Sequence, residues 1–204
     1  MGQLDHIVVT APVLGAGVQW LETTLGISMS GGGVHLGRGT HNKLLSLGPD
    51  TYLEVIAPNP EDAQPEIARM YDLDNSPAEI GLTNWAISSN SISAAMTKAS
   101  NEMGIITQLS RGSNRWLMSA PLNGKLPFDE AFPGFLEWQT PPPAPLLPDS
   151  ECRLLKLEIT HPDGHALAEM LKDFVDDSRV EILTGPRKSL RAEIATPSGL
   201  KVLA

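Results

Sequence analysis

LDHIVVTAPVLGAGVQWLETTLGI, residues 4–27, is matched without a gap by LTNWAISSNSISAAMTKASNEMGI, residues 82–105. Leu4 falls on Leu82, Leu25 on Met103, Gly26 on Gly104 and Ile27 on Ile105. Each copy reads as a strand, a turn, an amphipathic helix and a glycine stop. In the first, Leu14, Val18, Leu21 and Leu25 fall on one helical stripe, and Gly26 suits the left-handed position that ends a helix. In the second, Ile92, Met96, Ala99 and Met103 make the stripe, with Ser89, Asn90 or Ser91 available as cap. Each copy is followed by weaker strand signals and a closing strand containing Leu-Glu: YLEVIAP at 52–58 and FLEWQTP at 135–141. An internal repeat of this length is a statement about architecture. Two such units set side by side contribute equivalent residues to a shared cleft.

The rest of the chain fits around the repeat. Module one covers 1–58, with a glycine turn or loop at 31–33 and two strands, HNKLLSLG and TYLEVIAP, joined at Gly48-Pro49-Asp50. Residues 59–81 form a connector rich in Pro, Asp and Glu, with a short helix expected near 65–71. Module two covers 82–140, and RWLMSAP is its clearest middle strand. PPPAPLLP opens a stiff linker, 141–150, that neither helix nor central strand can cross. A shorter third copy of the plan then occupies 151–204: LLKLEIT, a helix from about 165 to 174, and the strands VEILTG, SLRAEIATP and LKVLA. An unpaired third module would expose strand edges, which points to a homodimer.

Composition narrows the function classes. Hydrophobic residues make up 41% of the 204, enough for a packed core. The net charge of −9 disfavours nucleic acid or an anionic membrane as partner, since phosphate binding needs clustered Lys and Arg. The one cysteine, Cys152, allows no intramolecular disulfide. No leader-like segment and no apolar run of membrane length appears, so a cytoplasmic location is expected. GRG at 37–39 lacks the Lys and following helix of a phosphate loop, so no nucleotide cofactor is expected.

Strand alternation places the candidate chemistry. Leu4, His6, Val8 and Thr10 point one way; Asp5, Ile7 and Val9 point the other. With Ile7, Val9, Leu53 and Val55 on the helix, His6 and Glu54 share the open face. In module two, Trp85, Ile87, Leu136 and Trp138 are expected on the helix side, leaving Asn84 and Glu137 on the open side.

Here the chain resembles the glyoxalase-like proteins of the vicinal oxygen chelate superfamily. LDHIVVTAP before a helix ending in LG, GRGTHNKLLSLG, YLEVIAP and LTNWAIS carry the resemblance. It implies an α+β fold in which repeated βαβββ modules form an incompletely closed mixed β-barrel with helices outside. It also implies a divalent metal, Fe, Mn, Zn or Ni, held by His6, Glu54 and Glu137. On that reading the protein is a lyase, isomerase or dioxygenase acting on a small molecule with adjacent oxygens, and Glu54 or Glu137 serves as catalytic base. Asn84 departs from the pattern, because an amide oxygen is a weak ligand.

Alternatives stay open. Alternation alone produces polar residues on a solvated face. If module three pairs with module one, Lys156 and Lys201 face His6 and Glu54, and the cleft is a metal-free small-molecule binding site. Arg38, His41, Asn42, Asn84 and Trp116 are the candidate substrate-binding residues. Against that, Arg38 fits an exposed turn and Trp116 fits the core. His35 reads as solvated, and His161 and His165 as capping or surface residues.

Overall fold

A computed structural model describes residues 2–62, 65, 67–75, 79–98 and 103–204. Module one runs β1 (Gln3–Thr10), α1 (Leu14–Leu25), β2 (Ser30–His35), β3 (Thr40–Ser46) and β4 (Tyr52–Pro58). Module two runs β5 (Gly81–Ser88), α2 (Ile92–Lys98), β6 (Ile105–Arg111), β7 (Asn114–Ala120) and β8 (Gly134–Trp138). The third unit runs β9 (Arg153–His161), α3 (Gly164–Leu171), β10 (Val180–Thr184), β11 (Ser189–Thr196) and β12 (Gly199–Leu203).

Modules one and two share one eight-stranded mixed sheet, ordered β2-β3-β4-β1-β5-β8-β7-β6. β1 is parallel to β4, β5 is parallel to β8, and the two first strands meet antiparallel in the middle. The sheet curls until its edge strands approach without laddering, so the barrel is incompletely closed. The seam is filled from β6: a Cβ on Gly33 would lie 3.2 Å from Arg111 Cγ. The third unit makes a separate sheet, β10-β9-β11-β12. Pairing of modules one and three is thereby overturned, and Lys156 bonds its own sheet's Glu158 and Glu181, at 3.1 and 2.6 Å.

Two apolar clusters divide the barrel by face. Outside, Ile7, Val9, Leu53 and Val55 pack with Leu21 and Leu25 of α1, and with Trp85, Ile87 and Phe135 of module two. Leu157, Ile159, Leu167 and Ile194 of the third unit join the same cluster. Inside, Val8, Ile56, Ala86, Trp116, Met118 and Leu136 line the concave face, with Met70, Tyr71 and Leu73 of the connector laid across it.

Local expectations meet mixed outcomes. Gly26 ends α1 at φ 73, as the stripe predicts. The glycine run at 31–33 lies within β2, not in a turn, and Gly31, Gly32 and Gly33 all take positive φ. The expected helix near 65–71 falls partly outside the described residues; the described ones there form bends and turns. Ala99 of the second stripe also lies outside them.

Candidate functional site

The concave face of module one carries a buried polar chain that begins with a break in the strand. Between Leu4 and His6 the pairing of β1 with β5 shifts register. Such a bulge re-aims a side chain. Leu4 therefore stays with Ile7 in the outer cluster, while Asp5 joins His6 inside. This corrects the alternation expected of β1, which grouped Leu4 with His6 and Asp5 with Ile7.

From Asp5 the chain runs both ways. Trp138 Nε1 donates to Asp5 Oδ2 at 2.8 Å, and His6 Nδ1 lies 2.7 Å from Asp5 Oδ1. His6 Nε2 faces Glu54 Oε2 at 3.3 Å, and the imidazole stacks on Tyr52 with ring centroids 4.6 Å apart. Asn42 Nδ2 donates to Glu54 Oε1 and reaches His35 Nε2 at 3.2 Å. His35 Nδ1 lies 2.9 Å from Thr40 Oγ1. The Gly33 N–H donates to Asn42 Oδ1 at 3.1 Å, which fixes the amide with its NH2 toward Glu54. Asp5, His6, His35, Asn42 and Glu54 are each at most 5% exposed.

These contacts sort the charges. Burial alone would drive His6 toward neutrality, but its bonds to Asp5 and Glu54 raise it to about 9, an imidazolium at neutral pH. Burial works against the Glu54 carboxylate too, yet His6, His35 and Asn42 hold its pKa at about 2. His35 goes the other way: burial, assisted by the charges of Arg111 and Arg38 and opposed by Glu54, lowers it to about 4. Two imidazoles near one carboxylate are thus held in opposite protonation states.

His6, His35, Tyr52, Glu54, Tyr71, Arg111, Trp116 and Trp138 line a cavity of about 20 Å3, room for about one water molecule. Met70 and Tyr71 of the connector cover it.

Other expected site residues lie elsewhere. Glu137 sits on the opposite side of β8, where Oε2 accepts the Ile92 N–H at 2.9 Å, at the start of α2. Leu136 and Trp138 take the concave face, the reverse of the expected assignment. The register gives the reason: Val8 pairs with Glu54, and its repeat equivalent Ala86 pairs with Gly134. Gly134, not Glu137, is the counterpart of Glu54, and a Cβ there would meet Met118 Cε at 2.8 Å. Asn84, the counterpart of His6, bonds Glu130 Oε2 at 2.7 Å, and its Oδ1 is buried without a partner among the described residues. Alternation along β3 turns His41 away from Asn42 and the cavity. Arg38, expected in water, is 8% exposed.

The donor set does not fit the divalent centre implied by the resemblance. His6 and Glu54 converge, but module two offers an engaged amide and a glycine. Among the described residues no group of three His, Cys, Asp or Glu side chains is arranged to hold a metal.

Sequence reading missed Asp5, His35, Tyr52, Tyr71, Arg111 and Trp138. A His in a glycine-rich stretch and an Asp on the wrong parity carry no signal until the bulge and the β2 pairing are known.

Comparison with known proteins agrees with this architecture. The family described as Glyoxalase-like domain matches residues 4–175, and the chain belongs to it. A hypothetical protein from Staphylococcus aureus shares the fold, with TM-score 0.65 and 16% identity over 93% of this chain and 88% of that one. Methylmalonyl-CoA epimerases are more distant. One from Streptomyces coelicolor, solved with 2-nitronate-propionyl-CoA, has TM-score 0.45 and 17% identity, covering 67% of this chain and 97% of its own. One from Mycobacterium tuberculosis has TM-score 0.45 and 16% identity, covering 71% and 91%. No curated protein matches the chain. Among the described residues no helix is long and apolar enough to cross a membrane.

Proposed function

We propose that the cavity over His6 and Glu54, widened beyond its one-water size when Met70 and Tyr71 of the connector shift aside, takes a small organic molecule and acts on it by proton transfer, as a metal-independent lyase or isomerase. The observation that carries this reading is the placement of Glu54. Its two oxygens are held by donors from two different strands, His6 of β1 and Asn42 of β3, at the wall of the cavity. A carboxylate has about four lone-pair sites, so lone pairs remain for a ligand proton.

The chemistry follows from those partners. Glu54 takes a proton from the carbon beside a carbonyl, and the electron pair moves onto the carbonyl oxygen. The donors that hold the carboxylate far below its ordinary pKa also weaken it as a base, so the step requires the ligand to take over one of them when it binds. Trp116, Trp138, Tyr52 and Tyr71 supply flat apolar walls suited to a planar enol or enolate. In a metal-dependent lyase or dioxygenase, His6 and Glu54 would be the residues that hold the ion, which would polarise the substrate carbonyl.

The test uses chelator-treated protein in D2O with a panel of small 2-oxo acids and ketones, followed by NMR. Deuterium should enter the carbon beside the carbonyl, and Glu54→Gln should abolish the exchange. Elemental analysis of protein purified without chelator is run alongside. Near-stoichiometric Fe, Mn, Zn or Ni that is lost in His6→Ala, with exchange that depends on it, would overturn the metal-independent reading. Saturable binding with no exchange would leave a small-molecule binding protein and no enzyme.

A further inference from the structure

Arg38 and Arg111 are buried and uncompensated. Arg38 is 8% exposed and its Nη2 is buried with no hydrogen-bond partner among the described residues. Arg111 is 7% exposed; its guanidinium lies 6.0 Å from the centroid of the Trp116 ring. Neither side chain meets a carboxylate among the described residues, in a protein of net charge −9. An uncompensated buried cation is costly, and buried charges are normally paired.

Their placement gives them a common target. Arg38 belongs to the turn that follows β2, and its N–H donates to the carbonyl of His35 at 3.1 Å. Arg111 fills the seam beside Gly33 and lines the cavity. The charges of both act on the His35 ring. The turn carrying Arg38 is held in place from the connector: Asp62 Oδ2 accepts the Gly39 N–H at 3.1 Å, and Arg69 Nε donates to the Gly39 carbonyl at 2.8 Å. Two cations are thus set near His35 by packing, not by counter-ions, Arg111 in the cavity wall and Arg38 in the turn that follows β2.

We infer that Arg38 and Arg111 form the anion end of this cavity, and that its ligand is a small organic carboxylate. The inference rests on the reading of the cavity as a small-molecule site and names the class of molecule. A planar carboxylate matches the guanidinium fork. Arg111 in the cavity wall and Arg38 in the turn after His35 have no carboxylate beside them among the described residues, which leaves the pair short of a negative charge. A monocarboxylate supplies it.

The experiment is calorimetric titration and thermal unfolding of the full chain at constant ionic strength. Pyruvate and acetate are the probes, with acetamide, inorganic phosphate and chloride as comparisons. Pyruvate should bind saturably and raise Tm, and acetamide should do neither. Arg38→Met and Arg111→Met should each weaken pyruvate binding by about ten- to a hundredfold. Arg38→Met should also raise the Tm of the unliganded protein, because it removes an unpaired buried charge.

Carboxylates no more effective than chloride would overturn the inference, as would binding unchanged in both variants or phosphate bound tighter than pyruvate. An Arg38→Met protein that fails to fold would assign that guanidinium to the fold, which also overturns it. The two readings fail separately. Arginine-dependent pyruvate binding that survives Glu54→Gln, without proton exchange in the parent, removes only the catalytic proposal. Proton exchange indifferent to both arginine changes removes only the carboxylate site.

Discussion

Asp5 and His6 are neighbours in one strand, yet both turn to the inside of the barrel, with Asp5 Oδ1 2.7 Å from His6 Nδ1. Regular alternation forbids this, and the register shift between Leu4 and His6 permits it. The contact fixes which nitrogen of His6 looks toward Glu54.

Asp5→Asn removes the charge behind His6 while keeping an oxygen for the Trp138 indole. The His6 pKa should fall from about 9 toward its ordinary value. NMR titration of the His6 ring reads this directly. Stability should drop by about 1–3 kcal/mol, read from urea unfolding. An unchanged His6 titration would show that Asp5 has no hold on it.

The two histidines set opposite limbs of the stability profile. His6 is raised to about 9, so its contribution is full below about 6.5, its ordinary value, and lost as pH rises through 9. His35 is lowered to about 4, so the unfolded chain takes up its proton first and stability is lost as pH falls from 6.5 toward 4. Stability should therefore peak near pH 6.5, with each limb worth at most roughly 3 kcal/mol. His35→Gln should flatten the acid limb and His6→Gln the alkaline one, measured by urea unfolding across pH 4 to 9.

Glu54 and Glu137 occupy matching Leu-Glu pairs but lie on opposite faces. Glu54→Gln leaves the buried imidazolium with Asp5 as its one carboxylate partner and breaks the buried pair, which should cost about 3–5 kcal/mol. Glu137→Ala removes an acceptor for the Ile92 N–H and should cost about 1 kcal/mol, with pyruvate binding untouched. Comparable losses, or a ligand-binding defect in Glu137→Ala, would contradict the face assignment.

Gly32 has φ +101, and a Cβ there would press on the carbonyl oxygen of Asn42. Gly32→Ala should destabilise by about 1–3 kcal/mol and disturb the amide that holds Glu54. The urea midpoint reports the first effect. The second appears as a Glu54 carboxyl resonance that titrates above about 2.

Trp85 is fully buried, and its indole N–H donates to the Ala131 carbonyl at 2.9 Å. Trp85→Ala should cost about 3–5 kcal/mol by chemical denaturation. A cost below 1 kcal/mol would mean that the shared outer core closes over the vacancy.

Much of this protein is written in local periodicity. The strand–helix repeat, the stripe of α1, the stop at Gly26 and the shared face of His6 and Glu54 all follow from side-chain spacing, because helices and strands impose periods of 3.6 and 2. The resemblance to glyoxalase-like proteins rests on the same stretches. FLEW could not be read in the same way. It carries apolar residues on both faces, so matching its Leu-Glu to that of YLEV put Glu137 three residues out of register, in the place that Gly134 holds. Tertiary pairing alone shows that Gly134 stands opposite Ala86 as Glu54 stands opposite Val8. The bulge that turns Asp5 inward, the burial of His35 and the two uncompensated arginines depend likewise on contacts between distant strands. Spacing specifies what each element is, while register and seam, decided by packing between elements, specify which side chains meet.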